Sequence, residues 1–203
     1  SKAPAAVSGA AVVGGAAAAA APLLTKVQRT ASGDRGTGEG AGRRKNVLVV
    51  GDSLITGVGC NPEGKEGPTL PRAVAECMAR CLRVDVSWTA IGKTGANIAT
   101  LHSKLLPAVL EEVSKVQAGG GKVDVVVVVC GLNDFKHAYR SRRNTASAFR
   151  EDLGEFVGAI QEHTGVGCTV VLPALPVASA PVFDGVWPAQ PMLQRLAALW
   201  DQQ

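Results

Sequence analysis

A three-layer α/β/α sandwich around a parallel sheet is the fold class this sequence predicts, and three observations predict it. Short apolar runs alternate with longer helix-like stretches through residues 46–203. One run, Val123-Asp124-Val125-Val126-Val127-Val128-Val129-Cys130, is almost wholly β-branched, the composition of a strand buried on both faces. The first three runs each end in a Gly-bearing polar loop, and open α/β sheets carry their chemistry at such strand ends.

In chain order, Asn46-Val47-Leu48-Val49-Val50 reads as the first strand and stops at Gly51-Asp52-Ser53-Leu54. That places a serine hydroxyl at a carboxyl edge, beside backbone N–H groups that can face a substrate oxygen. The plainer reading of the same four residues is a Gly-Asp turn with a serine helix cap. A helix is predicted over 68–82, then a second strand, Val84-Asp85-Val86-Ser87-Trp88-Thr89. The loop Ala90-Ile91-Gly92-Lys93-Thr94-Gly95-Ala96-Asn97 opens a helix over 98–118, and glycine there lets backbone approach a ligand closely. The third strand ends in Gly131-Leu132-Asn133-Asp134, a helix follows over 145–163, and Thr169-Val170-Val171-Leu172-Pro173-Ala174-Leu175 is the fourth strand. Residues 189–200 form the last predicted helix. Strands joined through helices in this way make right-handed β-α-β crossovers.

Ser, Gly and Asn presented in turn at three strand ends resemble the GDSL or SGNH hydrolase family, named for Ser, Gly, Asn and His in four sequence blocks. Gly51-Asp52-Ser53-Leu54 matches the first block, Gly95 within Lys93-Thr94-Gly95-Ala96-Asn97 the second, and Gly131-Leu132-Asn133-Asp134 the third. Gly92 is a rival for the second. The resemblance runs from about residue 44 to the C-terminus and implies a flavodoxin-like strand order, 2-1-3-4-5. It also implies Ser53 as nucleophile, with the Ser53 and Gly95 N–H groups and the Asn133 amide as the oxyanion hole. Fixed donors of this kind are what a tetrahedral acyl intermediate needs.

The fourth block departs from the pattern. The family's base is a His in a C-terminal D-x-x-H element, and no D-x-x-H follows the fourth strand of this sequence. Asp184-Gly185-Val186-Trp187-Pro188 is the nearest look-alike, but it carries Trp where the His belongs, and an indole has no basic nitrogen. The short stretch after the fourth strand leaves no room before Asp184 for a helix and a fifth strand. The expectation is therefore a chain that stops before the dyad, with the last strand missing and strand four an open apolar edge. Of the three histidines, His102 and His163 read as surface or helix-end residues, and His137 as a residue near the mouth of the site. Asp52 and Asp134 read as caps.

At 203 residues and 46% hydrophobic content the chain holds one domain with a tail. Residues 1–45 are read as a low-complexity Ala/Gly-rich leader and linker, and 46–203 as the esterase domain. The uncharged stretch from Ala3 to Leu24 is long enough to cross a bilayer, yet its Ala and Gly content fits a flexible leader or targeting segment as well. Membrane anchoring or organelle or secretory targeting thus rests on this segment alone. The glycine run at 36–42 precedes the first strand and reads as a linker, since a phosphate loop follows one. A net charge of +4 with few aromatics excludes nucleic acid as the expected partner. Arg140-Ser141-Arg142-Arg143 reads as a solvated loop. The five cysteines show no metal-ligand spacing, and Cys77 and Cys81, one helical turn apart, read as a packed face.

The function expected is carboxylic ester hydrolysis through an acyl-serine at Ser53, acting on a small-molecule or lipid ester and needing no metal or organic cofactor. Two alternatives stay open on the sequence: a catalytically inactive binding protein of the same fold, and an O-acyltransferase.

Overall fold

Residues 45–51 carry no side chain that prefers water at their centre, and they form the middle of the sheet. The computed structural model describes residues 24–33, 44–57, 67–137, 145–174 and 195. Within them the strands are β1 (Thr25–Ala31), β2 (Lys45–Gly51), β3 (Val86–Gly92), β4 (Val125–Val129) and β5 (Thr169–Val171). Their order across the sheet is β1-β3-β2-β4-β5, with β3, β2, β4 and β5 parallel and β1 antiparallel to β3. The four strands foreseen in sequence therefore lie in the order 2-1-3-4. No fifth parallel strand lies among the described residues.

The helices are α1 (Ser53–Thr56), α2 (Thr69–Leu82), α3 (Ile98–Thr100), a π-helical turn (Leu101–Leu105), α4 (Leu106–Ala118), α5 (Leu132–His137) and α6 (Ala146–Thr164). Successive side chains of a strand point to opposite faces, so each central strand feeds two cores. Val47 and Val49 pack with Ile55, Ala75, Ala79 and Trp88 under α1 and α2. Leu48 and Val50 pack with Leu101, Val109, Phe156 and Ile160 under α4 and α6. The result is the three-layer sandwich expected. The helix predicted over 98–118 is continuous but widened at Leu101–Leu105. Pro107, which lacks the N–H a regular turn would use, follows at once.

Three expectations change. β1 lies inside the stretch read as leader and linker, and it makes the sheet mixed. It is held by Lys26, whose Nζ lies 2.5 Å from Oε2 of the buried Glu112 on α4, while Thr89 Oγ1 donates to Glu112 Oε1 at 3.3 Å. A charge buried in this way persists when it is both paired and hydrogen-bonded. Second, β3 continues through Ala90, Ile91 and Gly92, which pair with Val49, Val50 and Gly51, so the second loop begins at Lys93. Third, β5 stops at Val171, and the exposed Val171 and Leu172 lie along an edge that no described strand covers.

No described helix is long and apolar enough to cross a membrane. The leader through residue 23, the glycine run at 36–42, Cys60, the arginine cluster at 140–143, the Asp184–Pro188 look-alike and the last predicted helix lie outside the described residues, except that Arg195 is helical.

Candidate active site

The strand order reverses between β3 and β4 about β2, so the carboxyl ends of these three strands form a switch point. Ser53 follows β2, Gly95 follows β3, and Asn133 follows β4.

Gly51 sets the first turn. A Cβ built there would lie 2.0 Å from the Val129 carbonyl oxygen, so only glycine lets β2 pass this close to β4 at the edge. Asp52 Nα then donates to that same Val129 oxygen at 3.3 Å, ending the ladder. Asp52 caps α1: its Oδ1 accepts from Leu54 N–H at 3.0 Å. The cap is thus Asp52, and Ser53 occupies the first helical position, half-buried. Among the described residues neither the Ser53 hydroxyl nor its N–H is engaged in a hydrogen bond.

The second loop is a tight turn in which Ala96 N–H donates to the Lys93 carbonyl at 3.1 Å. Gly95 takes φ +76°, the left-handed conformation that this turn position demands and that side chains disfavour. Its N–H has no acceptor among the described residues. Gly92, the rival, is a strand residue paired with Gly51, packed against Ile55 and Thr56. The turn is tied to α1 through Thr94 Oγ1 and Thr56 Oγ1, 3.0 Å apart.

Asn133 joins the three strand ends. Its Nδ2 donates to the Ala96 carbonyl at 2.8 Å and to Asp52 Oδ2 at 3.2 Å. The amide orientation is fixed by these two acceptors, since a flipped amide would set oxygen against oxygen. Asn97 caps the long helix by accepting from Thr100 N–H, and the Asp134 carboxylate, from α5, accepts from Ile98 N–H at 3.1 and 3.2 Å. Asp52 is the cap read from sequence, whereas Asp134 lies inside α5 and binds the first turn of a different helix. Burial pushes the Asp52 carboxyl above the usual carboxylate range, against the opposing pull of the Leu54 N–H and the Lys136 charge. Burial likewise raises Asp134, against the Ile98 N–H, and the Asp152 and Asp52 charges add to the rise. Cys130, beneath them, is pushed up to about 12, first by burial and then by the two aspartates. It is partly buried and packs against the core on the α4 and α6 side.

The histidines divide as follows. His102 Nε2 lies 2.7 Å from the Asp152 carbonyl oxygen and the ring meets Phe156 edge-on, which commits it to the α6 side. His163 is in the last turn of α6 and exposed. His137 ends α5, four residues after Asn133, and its side chain lies outside the described residues. Asp52 and Thr94 are the residues the sequence did not mark for the site. The signal for Asp52 was its place before Ser53, read only as a cap. No group of three or more metal-ligating side chains converges among the described residues.

The family model of the GDSL-like lipase/acylhydrolase family matches residues 49–202. Among solved structures the chain is similar to Axe2, an acetylxylan esterase from Geobacillus stearothermophilus, with 16% identity and a TM-score of 0.51, covering 80% of this chain and 72% of that one. It is also similar to an alpha/beta hydrolase enzyme from the metagenome of Lake Arreo, with 17% identity, a TM-score of 0.45, and coverage of 79% and 74%. A GDSL-like lipase from Parabacteroides merdae matches with 18% identity, a TM-score of 0.41, and coverage of 78% and 73%. No curated protein sequence matches the chain. The family match takes in all three strand-end blocks and most of the chain, so this protein belongs to the GDSL-like lipase/acylhydrolase family and is a carboxylic ester hydrolase.

Proposed function

We propose that the chain cleaves esters through an acyl-serine intermediate formed on Ser53. The observation that carries this reading is the set of uncommitted groups at one switch point: a serine hydroxyl, the N–H of that same serine, and the Gly95 N–H. Donors left without partners where negative charge would develop are the structural requirement of an oxyanion hole.

In this mechanism Ser53 Oγ attacks the acyl carbonyl carbon, and the carbonyl oxygen gains negative charge. The Ser53 and Gly95 N–H groups face that oxygen. Asn133 contributes a third donor by exchanging its longer bond, to Asp52 Oδ2, for the substrate oxygen, while the shorter bond to Ala96 holds the amide in place. The Ser53 proton passes to the leaving oxygen, which departs as the alcohol, and water then releases the acid and returns a proton to Ser53 Oγ. His102 and His163 are not the proton acceptor, given where their helices set them. The substrates are small-molecule or lipid esters, and association with a membrane through the N-terminal segment is part of the proposal.

The test is a rapid-mixing experiment with p-nitrophenyl acetate. The expected result is a nitrophenol burst of one equivalent per chain followed by slower turnover, the mark of an accumulating acyl-enzyme. Turnover without a covalent acetyl adduct in the intact-mass spectrum contradicts the serine mechanism.

A further inference from the structure

Cys77 and Cys81 read in sequence as a packed face, and the structure corrects this: both are exposed. The face of α2 turned to the core is Pro71, Ala75 and Ala79. At 100° per residue, Cys77 and Cys81 each stand about 200° from a buried alanine two positions earlier, on the outer side. Their sulfurs lie 4.0 Å apart.

That separation decides what the pair can hold. A disulfide needs sulfurs about 2.05 Å apart and Cβ atoms about 3.5–4.5 Å apart, whereas residues one helical turn apart keep their Cβ atoms about 5–6 Å apart. Closing the bond would break the ladder of α2. A single ion with metal–thiolate bonds of about 2.3 Å spans sulfurs 4.0 Å apart at an S–metal–S angle of roughly 120°, with the helix unmoved. Zinc is a poor occupant, because its structural sites take four protein ligands and no third His, Cys, Asp or Glu converges here among the described residues. The neighbouring Glu76 is paired with Arg72. Two soft thiolates with open coordination suit a soft d10 ion of low coordination number.

We propose that Cys77 and Cys81 form a surface bis-thiolate site for one Cu(I) ion. Binding replaces two S–H bonds by two S–Cu bonds and releases two protons to solvent, and no electron is transferred. The complex carries net negative charge, and Arg80, in the same last turn of α2, supplies the opposite sign.

The whole chain, reduced and kept anaerobic, is titrated with Cu(I) in competition with the coloured chelator bicinchoninate, alongside Cys77→Ser, Cys81→Ser and Cys168→Ser. The wild type and Cys168→Ser are expected to withdraw one equivalent, and both α2 variants to lose it while keeping the wild-type far-UV circular dichroism. Serine at these exposed positions removes the soft ligand without disturbing the core. Equal withdrawal by the wild type and the α2 variants overturns the proposal. A Cys77–Cys81 disulfide formed by diamide with helix content unchanged overturns it as well, because it removes the geometric reason for preferring an ion.

Discussion

Gly51→Ala is expected to lower the melting temperature by roughly 10 °C, from a loss of about 3 kcal/mol or more. The added Cβ would sit 2.0 Å from the Val129 carbonyl oxygen and 2.9 Å from its carbonyl carbon. Those atoms belong to the backbone of β4, which is paired with β2 in register, so no side-chain rotation relieves the overlap. The two strands must separate at the point where Asp52 Nα bonds Val129, and the Ser53 turn moves with them. Gly92→Ala provides the comparison: its Cβ meets Thr56 Cγ2 at 3.0 Å and Ile55 Cβ and Cγ2 at 3.1 Å, a much smaller overlap than a carbonyl oxygen at 2.0 Å. Thermal unfolding of the two variants measures the difference. A Gly51→Ala protein that melts with the wild type would show that this close approach is not a constraint.

Asn133→Ala is expected to reduce kcat for a short-chain aryl ester about 100-fold or more, with the far-UV circular dichroism unchanged. The amide is the only side-chain donor proposed for the developing oxyanion, and removing one such donor costs about 10²–10³ in comparable sites. Its loss also frees the Asp52 carboxylate and the Ala96 carbonyl, so the ground-state site loosens at the same time. Steady-state kinetics separates the two effects. A fall in kcat with KM nearly constant is the expected result, whereas a change confined to KM would make Asn133 a substrate-binding residue only.

The central strands were legible because their composition admits one environment. Five successive valines in β4 fit only a strand covered on both sides. The strand-end blocks were legible for a related reason: glycine followed by a small polar residue is what a chain needs where it leaves a crowded sheet edge. β1 was not legible. Lys26, Gln28 and Arg29 give it the composition of a linker, and its place in the sheet is fixed by β3 and by the Lys26–Glu112 pair, both distant in sequence. The end of β3 was missed because Ala90 and Gly92 have low strand preference, which pairing with Val49 and Gly51 overrides. Asp52 illustrates the limit for the site. Its capping role follows from local spacing, but its bond to Asn133 links residues 81 positions apart and exists only once the sheet is formed. The outward aim of Cys77 and Cys81 depended on which face of α2 meets the sheet, and the spacing of two cysteines does not carry that information.

The central claim is that Ser53 is the nucleophile, and covalent trapping tests it most directly. The chain is incubated with a fluorophosphonate, digested, and the modified residue located by tandem mass spectrometry. A single adduct on Ser53, absent from Ser53→Ala, is the predicted result. Equal labelling of the wild type and Ser53→Ala, or an adduct on another residue, would contradict the account.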